Sequence, residues 1–198
     1  MFRCTTERFE MRPKILTLSG PSGAGKTTIA RNLLDLLPNA KMVVSNTTRA
    51  ARVSDIPGEY NHIEMSEFQT LESKGKFLWT AEHGGTHYGT LCQSVFDAAT
   101  ADDRIGIMIL TPNVMPILSS YLSNLNANTE HIPVFLSAPT DILTARLNNR
   151  GESAQSIQTR LFQSADWERD CRASVTPFHF FQNVDSIDDA VNYVLSLL

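Results

Sequence analysis

The sequence contains no long apolar run and no closely spaced pair of cysteines. No apolar run approaches the roughly 18 residues that a membrane helix needs, so we expect no membrane partner. The three cysteines, Cys4, Cys92 and Cys171, are odd in number and far apart, and no C-x-x-C spacing occurs. This usage is typical of reduced thiols in a reducing compartment, and we expect a cytoplasmic protein.

An excess of positive charge is also missing. The chain carries 17 Lys and Arg against 21 Asp and Glu, a net charge of −4 with neutral histidines. Nucleic-acid binders usually present a basic face, so no nucleic-acid partner is expected. The 198 residues contain no repeat, low-complexity tract or Pro/Gly-rich linker, and 42% of them are hydrophobic, enough for one core. The expected partners are therefore small molecules, and monomer and homodimer both remain open.

Strand-like and helical segments alternate along most of the chain. This alternation predicts an α/β fold with a central parallel sheet covered by helices. Segment 46–90 is more polar, with short strand pieces around 60–64 and 87–90 and a helix near 66–74, and it predicts a flap beside the ligand edge of the sheet. Elsewhere the periodicity predicts strands at 14–20, 41–45, 104–110 and 131–137, a buried strand near 178–183, and helices at 28–38, 113–122, 139–148, 155–171 and 186–197.

A phosphate-binding loop follows the first predicted strand. Residues 20–27 read GPSGAGKT and fit G-x-x-x-x-G-K-[ST] between a strand and a helix, the context that this motif requires. Backbone N–H groups and a helix N-terminus would hold the phosphates, Lys26 would reach the β- and γ-phosphates, and the Thr27 hydroxyl would bind Mg²⁺. ATP and Mg²⁺ are thus the expected cofactors. The predicted phosphate-binding residues are Gly20, Ser22, Gly23, Ala24, Gly25, Lys26, Thr27 and Thr28.

A second anion site is indicated by residues 45–62, SNTTRAARVSDIPGEYNH. Arg49 and Arg52 lie three positions apart among small and turn-forming residues, and Tyr60 follows. Two guanidinium groups can hold one phosphate from two sides with bidentate geometry, and a tyrosine hydroxyl can add a further hydrogen bond. With a nucleoside triphosphate as donor, the natural target of these arginines is a phosphate on an acceptor.

From about Arg12 onward the sequence resembles the guanylate kinase family. Residues 45–52, SNTTRAAR, resemble the family's S-x-T-T-R-x-x-R, and Gly58-Glu59-Tyr60 resembles its G-x-x-Y with one residue missing. Tyr88-Gly89-Thr90 is similar to Y-G-[ST]. Residues 146–151, RLNNRG, match R-L-x-x-R-G at the start of the lid, with Arg160 as the next lid arginine, and residues 182–185 are similar to a late V-N-D-D.

This resemblance implies a P-loop kinase fold with a flap and a lid. It predicts an N-terminal extension at 1–11 and one domain at 12–198, with a core at 12–45 and 91–198, a flap at about 46–90 and a lid at about 148–160. Arg49, Arg52, Tyr60 and Tyr88 would hold the acceptor phosphate, while Ser45 and Thr90 would face the base. Arg150 and Arg160 would join Lys26 as catalytic residues on the transferring phosphoryl group.

Two departures from the family bear on the acceptor base. The glutamate that the family carries nine residues before the Y-G-[ST] tyrosine is Trp79 here, or Leu78 if the tryptophans are aligned. The D-x-D strand end falls on Met108-Ile109-Leu110. The N1–H and 2-amino group of guanine are donors, and leaving them unpaired costs roughly 1–3 kcal/mol. Glu82 is the candidate substitute acceptor.

Three functions are therefore weighed. The first is ATP-dependent phosphoryl transfer to a nucleoside monophosphate, with GMP or dGMP as first candidate. The second is a ribose 1,5-bisphosphate phosphokinase, because such enzymes resemble guanylate kinases, lack both acids and share an N-H-I-x-x-S pattern with residues 61–66. The third is a non-catalytic guanylate-kinase-like module, against which the intact Lys26-Thr27 pair stands.

Overall fold

The computed structural model describes residues 12–53, 55–83, 85–125, 128–184 and 186–198. The expected extension at 1–11 and Cys4 lie outside these residues. In chain order the strands are β1 (Lys14–Ser19), β2 (Ala40–Met42), β3 (Ser45–Thr47), β4 (Tyr60–His62), β5 (Phe77–His83), β6 (Thr86–Leu91), β7 (Ile105–Ile109), β8 (Glu130–Ser137) and β9 (His179–Gln182). The helices are α1 (Lys26–Leu36), α2 (Met65–Ser73), α3 (Cys92–Thr100), α4 (Met115–Asn124), α5 (Thr140–Asn149), α6 (Ala154–Ser164), α7 (Trp167–Ala173) and α8 (Ile187–Leu195), with a 3-10 turn at Pro112–Val114.

The predicted parallel sheet is confirmed. Five strands run parallel in the order β2-β7-β1-β8-β9. The middle strand β1 is buried from Ile15 to Ser19, because helices cover both faces of the sheet and an unbroken apolar run is stable only there. The carboxyl ends of β1 and β7 open toward the second sheet, as expected for ligand sites in open α/β sheets.

A second, four-stranded sheet forms the flap region. Its order is β4-β3-β6-β5, with β3 and β4 parallel and the other two pairs antiparallel. Helix α2 packs against it through Phe68, whose ring stacks on Phe77 at 4.6 Å between centroids. Strand β5 was not predicted. Its residues gain their strand conformation from pairing with β6, a partner that local periodicity does not reveal.

Three predicted elements differ from the observed ones. The strand predicted at 41–45 is split, because the chain leaves β2 at Met42 and enters β3 of the other sheet at Ser45. The helix predicted at 155–171 is two helices, α6 and α7, that meet at residues 165–166. The strand near 178–183 was predicted to be buried, but β9 is an edge strand with one neighbour, and both of its end residues are exposed.

The described part of the chain contains no helix long and apolar enough to cross a membrane. Within that part, Cys92 and Cys171 are free thiols.

Candidate active site

A cleft of about 270 Å³ separates the end of the central sheet from the flap sheet. The phosphate loop forms one wall, β3, β5 and β6 form the opposite wall, and the segment after β7 forms the floor. Trp167 of α7 also reaches it. The lining residues are Gly20, Ser22, Lys26, Ser45, Tyr60, Trp79, Ala81, Tyr88, Gly89, Thr90, Ile109, Leu110, Thr111, Val114 and Trp167.

The phosphate loop has the conformation that its glycines permit. Gly20, Gly23 and Gly25 have φ angles of +136°, +87° and +97°, a region that other residues rarely adopt. A Cβ on Gly20 would lie 2.0 Å from the Leu136 carbonyl oxygen, so the loop also passes too close to β8 for any side chain there. Helix α1 begins at Lys26, directly after the loop, and its N-terminus adds positive potential at the same point.

The Lys26 ammonium group lies across the mouth of this loop. Its Nζ donates hydrogen bonds to the carbonyl oxygens of Gly20 at 2.6 Å and Pro21 at 2.8 Å. Burial, followed by the positive charges of Arg150 and Arg160, lowers the pKa of Lys26 to about 8. A bound phosphate would reverse this shift, because an anion beside the ammonium favours its charged form.

The arginines of the predicted lid lie around the same loop. Arg160 donates to Ser22 Oγ at 3.2 Å and pairs with Glu152 at 3.1 Å. Arg146 donates to the Gly23 carbonyl oxygen at 3.3 Å, and Arg150 is exposed at the end of α5. The structure thus brings together the predicted set Lys26, Arg150 and Arg160. Thr27 and Thr28 occupy the first turn of α1, where Thr27 is half-buried and Thr28 is exposed.

The flap arginines differ in their surroundings. Arg49 is nearly buried and forms a bidentate pair with Asp55, with Nη2–Oδ1 at 2.7 Å and Nη1–Oδ2 at 3.2 Å. Its guanidinium carbon lies 5.2 Å from the centre of the Tyr60 ring, a cation–π contact. The Asp55 pair and, to a lesser degree, Tyr88 raise the pKa of Arg49. The Arg52 side chain is exposed.

Two tyrosines separate Arg49 from the cleft. Tyr60 and Tyr88 both line it, and their rings meet edge to face at 6.0 Å. Burial, followed by the nearby Glu59 carboxylate to which Tyr60 is hydrogen bonded, raises the pKa of Tyr60 well above its ordinary value. Arg49, Tyr60 and Tyr88 of the predicted acceptor-phosphate set are therefore neighbours in the flap, and the Arg52 backbone joins them through Asp55.

Beside these tyrosines, the cleft contains a pair of hydroxyl groups and a set of mainly apolar side chains. Ser45 Oγ and Thr90 Oγ1 are 2.7 Å apart and join β3 to β6. Around them lie apolar side chains of both sheets and of α7: Trp79, Ala81, Ile109, Leu110, Val114 and Trp167.

Glu82 is the predicted site residue that the structure does not bring to the cleft. It is exposed on β5, between residues whose side chains alternate across the sheet, and Trp79 and Ala81 occupy the cleft face. Because a one-residue step moves a side chain to the other face, Glu82 points away from the Ser45–Thr90 pair. The expectation that it replaces the family glutamate is therefore not supported by its position.

A second, smaller groove of about 200 Å³ adjoins the phosphate loop. Gly23, Gly25, Thr28, Arg146, Arg150, Asn183 and Ile187 line it. Asn183 is 2% exposed, and its Nδ2 donates to the Ala24 carbonyl oxygen at 2.9 Å, which fixes the orientation of the amide. Its Oδ1 is buried and has no hydrogen-bond donor among the described residues. This oxygen is an unused acceptor beside the loop.

Asp55, Trp167 and the Oδ1 of Asn183 were missed as site features by reasoning from the sequence. Asp55 lies three positions after Arg52, a spacing that could have suggested a turn with an internal ion pair. Trp167 belongs to a helix far along the chain, and no local pattern connects it to the flap. Within the described residues, no group of three or more His, Cys, Asp and Glu side chains is arranged to hold a metal ion.

Comparisons with known proteins agree with this geometry. The guanylate kinase family model matches residues 11–198. A guanylate kinase of Mycobacterium bovis is 39% identical over 153 residues, which are 75% of this chain and 70% of that protein. A guanylate kinase of Streptomyces kasugaensis is 31% identical over 191 residues, 96% of this chain and 88% of that protein.

A solved structure shows the same fold. The crystal structure of guanylate kinase from Anaplasma phagocytophilum superposes with a TM-score of 0.65 at 22% identity, covering 95% of this chain and 85% of that one. The family model spans the described part of the chain, and the Streptomyces relative aligns with 96% of the sequence. The chain belongs to the guanylate kinase family.

Proposed function

We propose that this protein transfers the γ-phosphoryl group of ATP to a nucleoside 5′-monophosphate, with GMP or dGMP as first candidate. The observation that carries the proposal is the cleft itself. A complete phosphate loop with Lys26 lies on one side, and a flap with Tyr60 and Tyr88 in front of Arg49 lies on the other. Two anion sites that face each other across one cleft fit a donor and an acceptor that both carry phosphate.

The donor phosphates would lie in the loop at Gly20–Thr27. The half-buried Thr27 hydroxyl, at the first turn of α1, fits a ligand of Mg²⁺, with phosphate oxygens and water as the others. When bound, the ion would neutralise charge on the β- and γ-phosphates. The adjoining groove would take the base of the donor.

The acceptor would lie across the flap. Arg49, Arg52, Tyr60 and Tyr88 would hold its phosphate, and the base would bind among the apolar side chains beside Ser45 and Thr90. An oxygen of the acceptor phosphate would form a bond to the γ-phosphorus while the bond from that phosphorus to the β,γ-bridging oxygen breaks and ADP leaves. Lys26, Arg150 and Arg160 would stabilise the charge on the transferring group. Flap and lid closure would exclude water.

The apolar side chains of the cleft also bear on the ribose 1,5-bisphosphate alternative. Ile109 and Val114 offer no hydrogen bonds to sugar hydroxyls, whereas they and the Trp79 ring suit the flat apolar faces of a base. The nucleotide acceptor is therefore the better fit.

The test is a coupled ATP-consumption screen over GMP, dGMP, IMP, AMP, UMP, CMP and ribose 1,5-bisphosphate. We expect turnover of GMP and dGMP, and loss of all turnover in Lys26→Ala. Turnover of the ribose compound alone would overturn the nucleotide proposal while leaving the donor site in place. Tight ATP binding without transfer to any of these acceptors would indicate a non-catalytic module.

A further inference from the structure

We propose that the part of the cleft around Ser45, Thr90 and Trp79, called the base end, accepts purines in general and does not read the 2-amino group of guanine. This inference rests on the proposed function and specifies its substrate class as purine nucleoside 5′-monophosphates. Two observations support it: the polar groups present at the base end, and the tight packing of Trp79 in its wall.

The polar side-chain groups at the base end are hydroxyls and the indole N–H donors of Trp79 and Trp167. Ser45 and Thr90 form the 2.7 Å pair, and Thr111 lies at the floor. None of the described residues that line the cleft is an aspartate or glutamate. The nearby flap carboxylates lie outside the cleft lining and already have partners, since Asp55 binds Arg49, and Glu59 accepts from the Ile56 backbone N–H at 3.2 Å and from Tyr60.

The packing around the base end also keeps acidic side chains of the flap away from it. Trp79 is 9% exposed and belongs to the core cluster around Ile15, Val95 and Met108, so its ring is fixed from behind while one part faces the cleft. The nearest acid on the same strand, Glu82, points to the opposite side of the flap sheet. Guanine would therefore find its N1–H and 2-amino donors facing apolar side chains and hydroxyls.

Hydroxyl groups do not separate the purines by their hydrogen-bonding edges. A hydroxyl donates to the 6-oxo group of guanine or hypoxanthine and accepts equally from the 6-amino group of adenine. Strong discrimination requires buried polar groups that one substrate satisfies and another leaves unpaired, and it then reaches about 10⁴-fold or more. Burial and stacking against the apolar wall instead stabilise the binding of every purine ring to a similar degree.

The two tryptophans of the chain provide the assay, because Trp79 and Trp167 both line the cleft. Quenching of their fluorescence by GMP, IMP and AMP gives three dissociation constants without need for turnover. We expect GMP and IMP to agree within about fivefold, and AMP to lie within about tenfold of both. GMP binding about 50-fold or more tighter than IMP binding would overturn the inference and leave the proposed function standing. If none of the three monophosphates binds while ATP still does, both the inference and the proposed function are overturned.

A substitution tests the cause. Trp79→Glu places a carboxylate on the wall, with Trp167 as the remaining reporter, and should favour GMP over IMP by about tenfold relative to the wild type. Trp79→Phe is the matched control and should keep the GMP-to-IMP ratio of the wild-type protein. An unchanged ratio in a folded Trp79→Glu protein would contradict the assignment of this wall to the base. If that variant does not fold, the wild-type ratio alone decides.

Discussion

At the scale of single residues, Arg49, which is predicted to bind the acceptor phosphate, is already held by a carboxylate from its own loop. Asp55 takes one hydrogen bond from each terminal nitrogen of Arg49, accepts the Arg52 backbone N–H at 2.8 Å, and lies 3.4 Å from His62 Nε2. Burial acts to raise the pKa of Asp55, and the bonds from Arg49 and Arg52 outweigh it, so that this pKa is lowered overall. We infer that Asp55 positions Arg49 beside Tyr60.

Asp55→Asn should therefore weaken acceptor binding. The amide keeps the size of the side chain but cannot accept both arginine bonds, so the guanidinium loses its orientation. We expect the KM for GMP to rise by about tenfold, which corresponds to a loss of about 1.4 kcal/mol in acceptor binding. The KM for ATP should not change, and kcat should fall less than twofold. Steady-state kinetics with each substrate varied separately gives both constants. A lower KM for GMP would contradict the positioning role and indicate that Asp55 competes with the acceptor phosphate.

Lys26 links donor binding to pH. Its pKa of about 8 in the free protein means that part of the population is neutral above pH 8, while a bound triphosphate requires the charged form. ATP binding at about pH 8.5 should therefore take up a substantial fraction of a proton per site, and at pH 7 almost none through this group. Calorimetry in two buffers of different ionisation enthalpy measures the uptake. Equal binding enthalpies in both buffers at pH 8.5 would contradict a lowered pKa of Lys26.

At the scale of elements, a histidine between β8, β1 and α4 links core packing to acid stability. His131 Nε2 lies 3.1 Å from Thr17 Oγ1, and Nδ1 lies 3.3 Å from Ser119 Oγ. Burial lowers the pKa of His131 to about 4 from its ordinary 6.5. In the unfolded chain His131 therefore becomes protonated below about pH 6.5, whereas in the folded protein it becomes protonated only near pH 4. The stability contribution is fully present above pH 6.5 and is lost as the pH falls from 6.5 to 4.

His131→Gln should flatten this dependence, because glutamine keeps hydrogen-bonding groups but does not titrate. Urea unfolding at a series of pH values between 6.5 and 4 should show the wild type losing up to about 3 kcal/mol more than the variant. Parallel losses in both proteins would mean that other groups dominate the acid response. The variant should be less stable than the wild type at pH 7 by no more than about 2 kcal/mol, the usual cost of an altered buried hydrogen bond.

Elements differed in how far the sequence alone could predict them. The phosphate loop was predictable because its glycines, Lys26 and Thr27 act within eight consecutive residues between β1 and α1. The confirmed parallel sheet was predictable for a similar reason, since each buried strand carries its own apolar run. Strand β5 was not, because its conformation depends on pairing with β6.

The predicted acceptor site contains some residues that local motifs identify and others that depend on long-range packing. Ser45, Tyr60, Tyr88 and Thr90 reach the cleft as expected, each from a short motif within the flap. Glu82 does not, because strand alternation decides which face it occupies and the register of β5 had not been predicted. Trp167 joins the cleft only through the packing of α7, a long-range contact that no spacing in the sequence encodes.

At the scale of the whole molecule, the two halves of the cleft belong to different sheets. The loop with Lys26 is fixed to the five-stranded sheet, and Ser45, Tyr60, Tyr88 and Thr90 are fixed to the four-stranded one. Donor and acceptor would therefore be bound mainly by different sheets, which share a core around Trp79. This arrangement predicts that Arg52→Ala impairs the use of GMP by about tenfold or more in kcat/KM, while the dissociation constant of ATP changes less than twofold. Equal damage to both would contradict a division of labour between the sheets.

The central claim is direct phosphoryl transfer between two bound nucleotides, and phosphorus NMR of the reaction tests it most directly. ATP, Mg²⁺ and GMP are mixed with the protein, and the resonances are followed over time. The account predicts ADP and GDP in equal amounts, no inorganic phosphate, and no product with Lys26→Ala. Consumption of ATP to ADP and inorganic phosphate without GDP, or unchanged GMP in the presence of bound ATP, would contradict it.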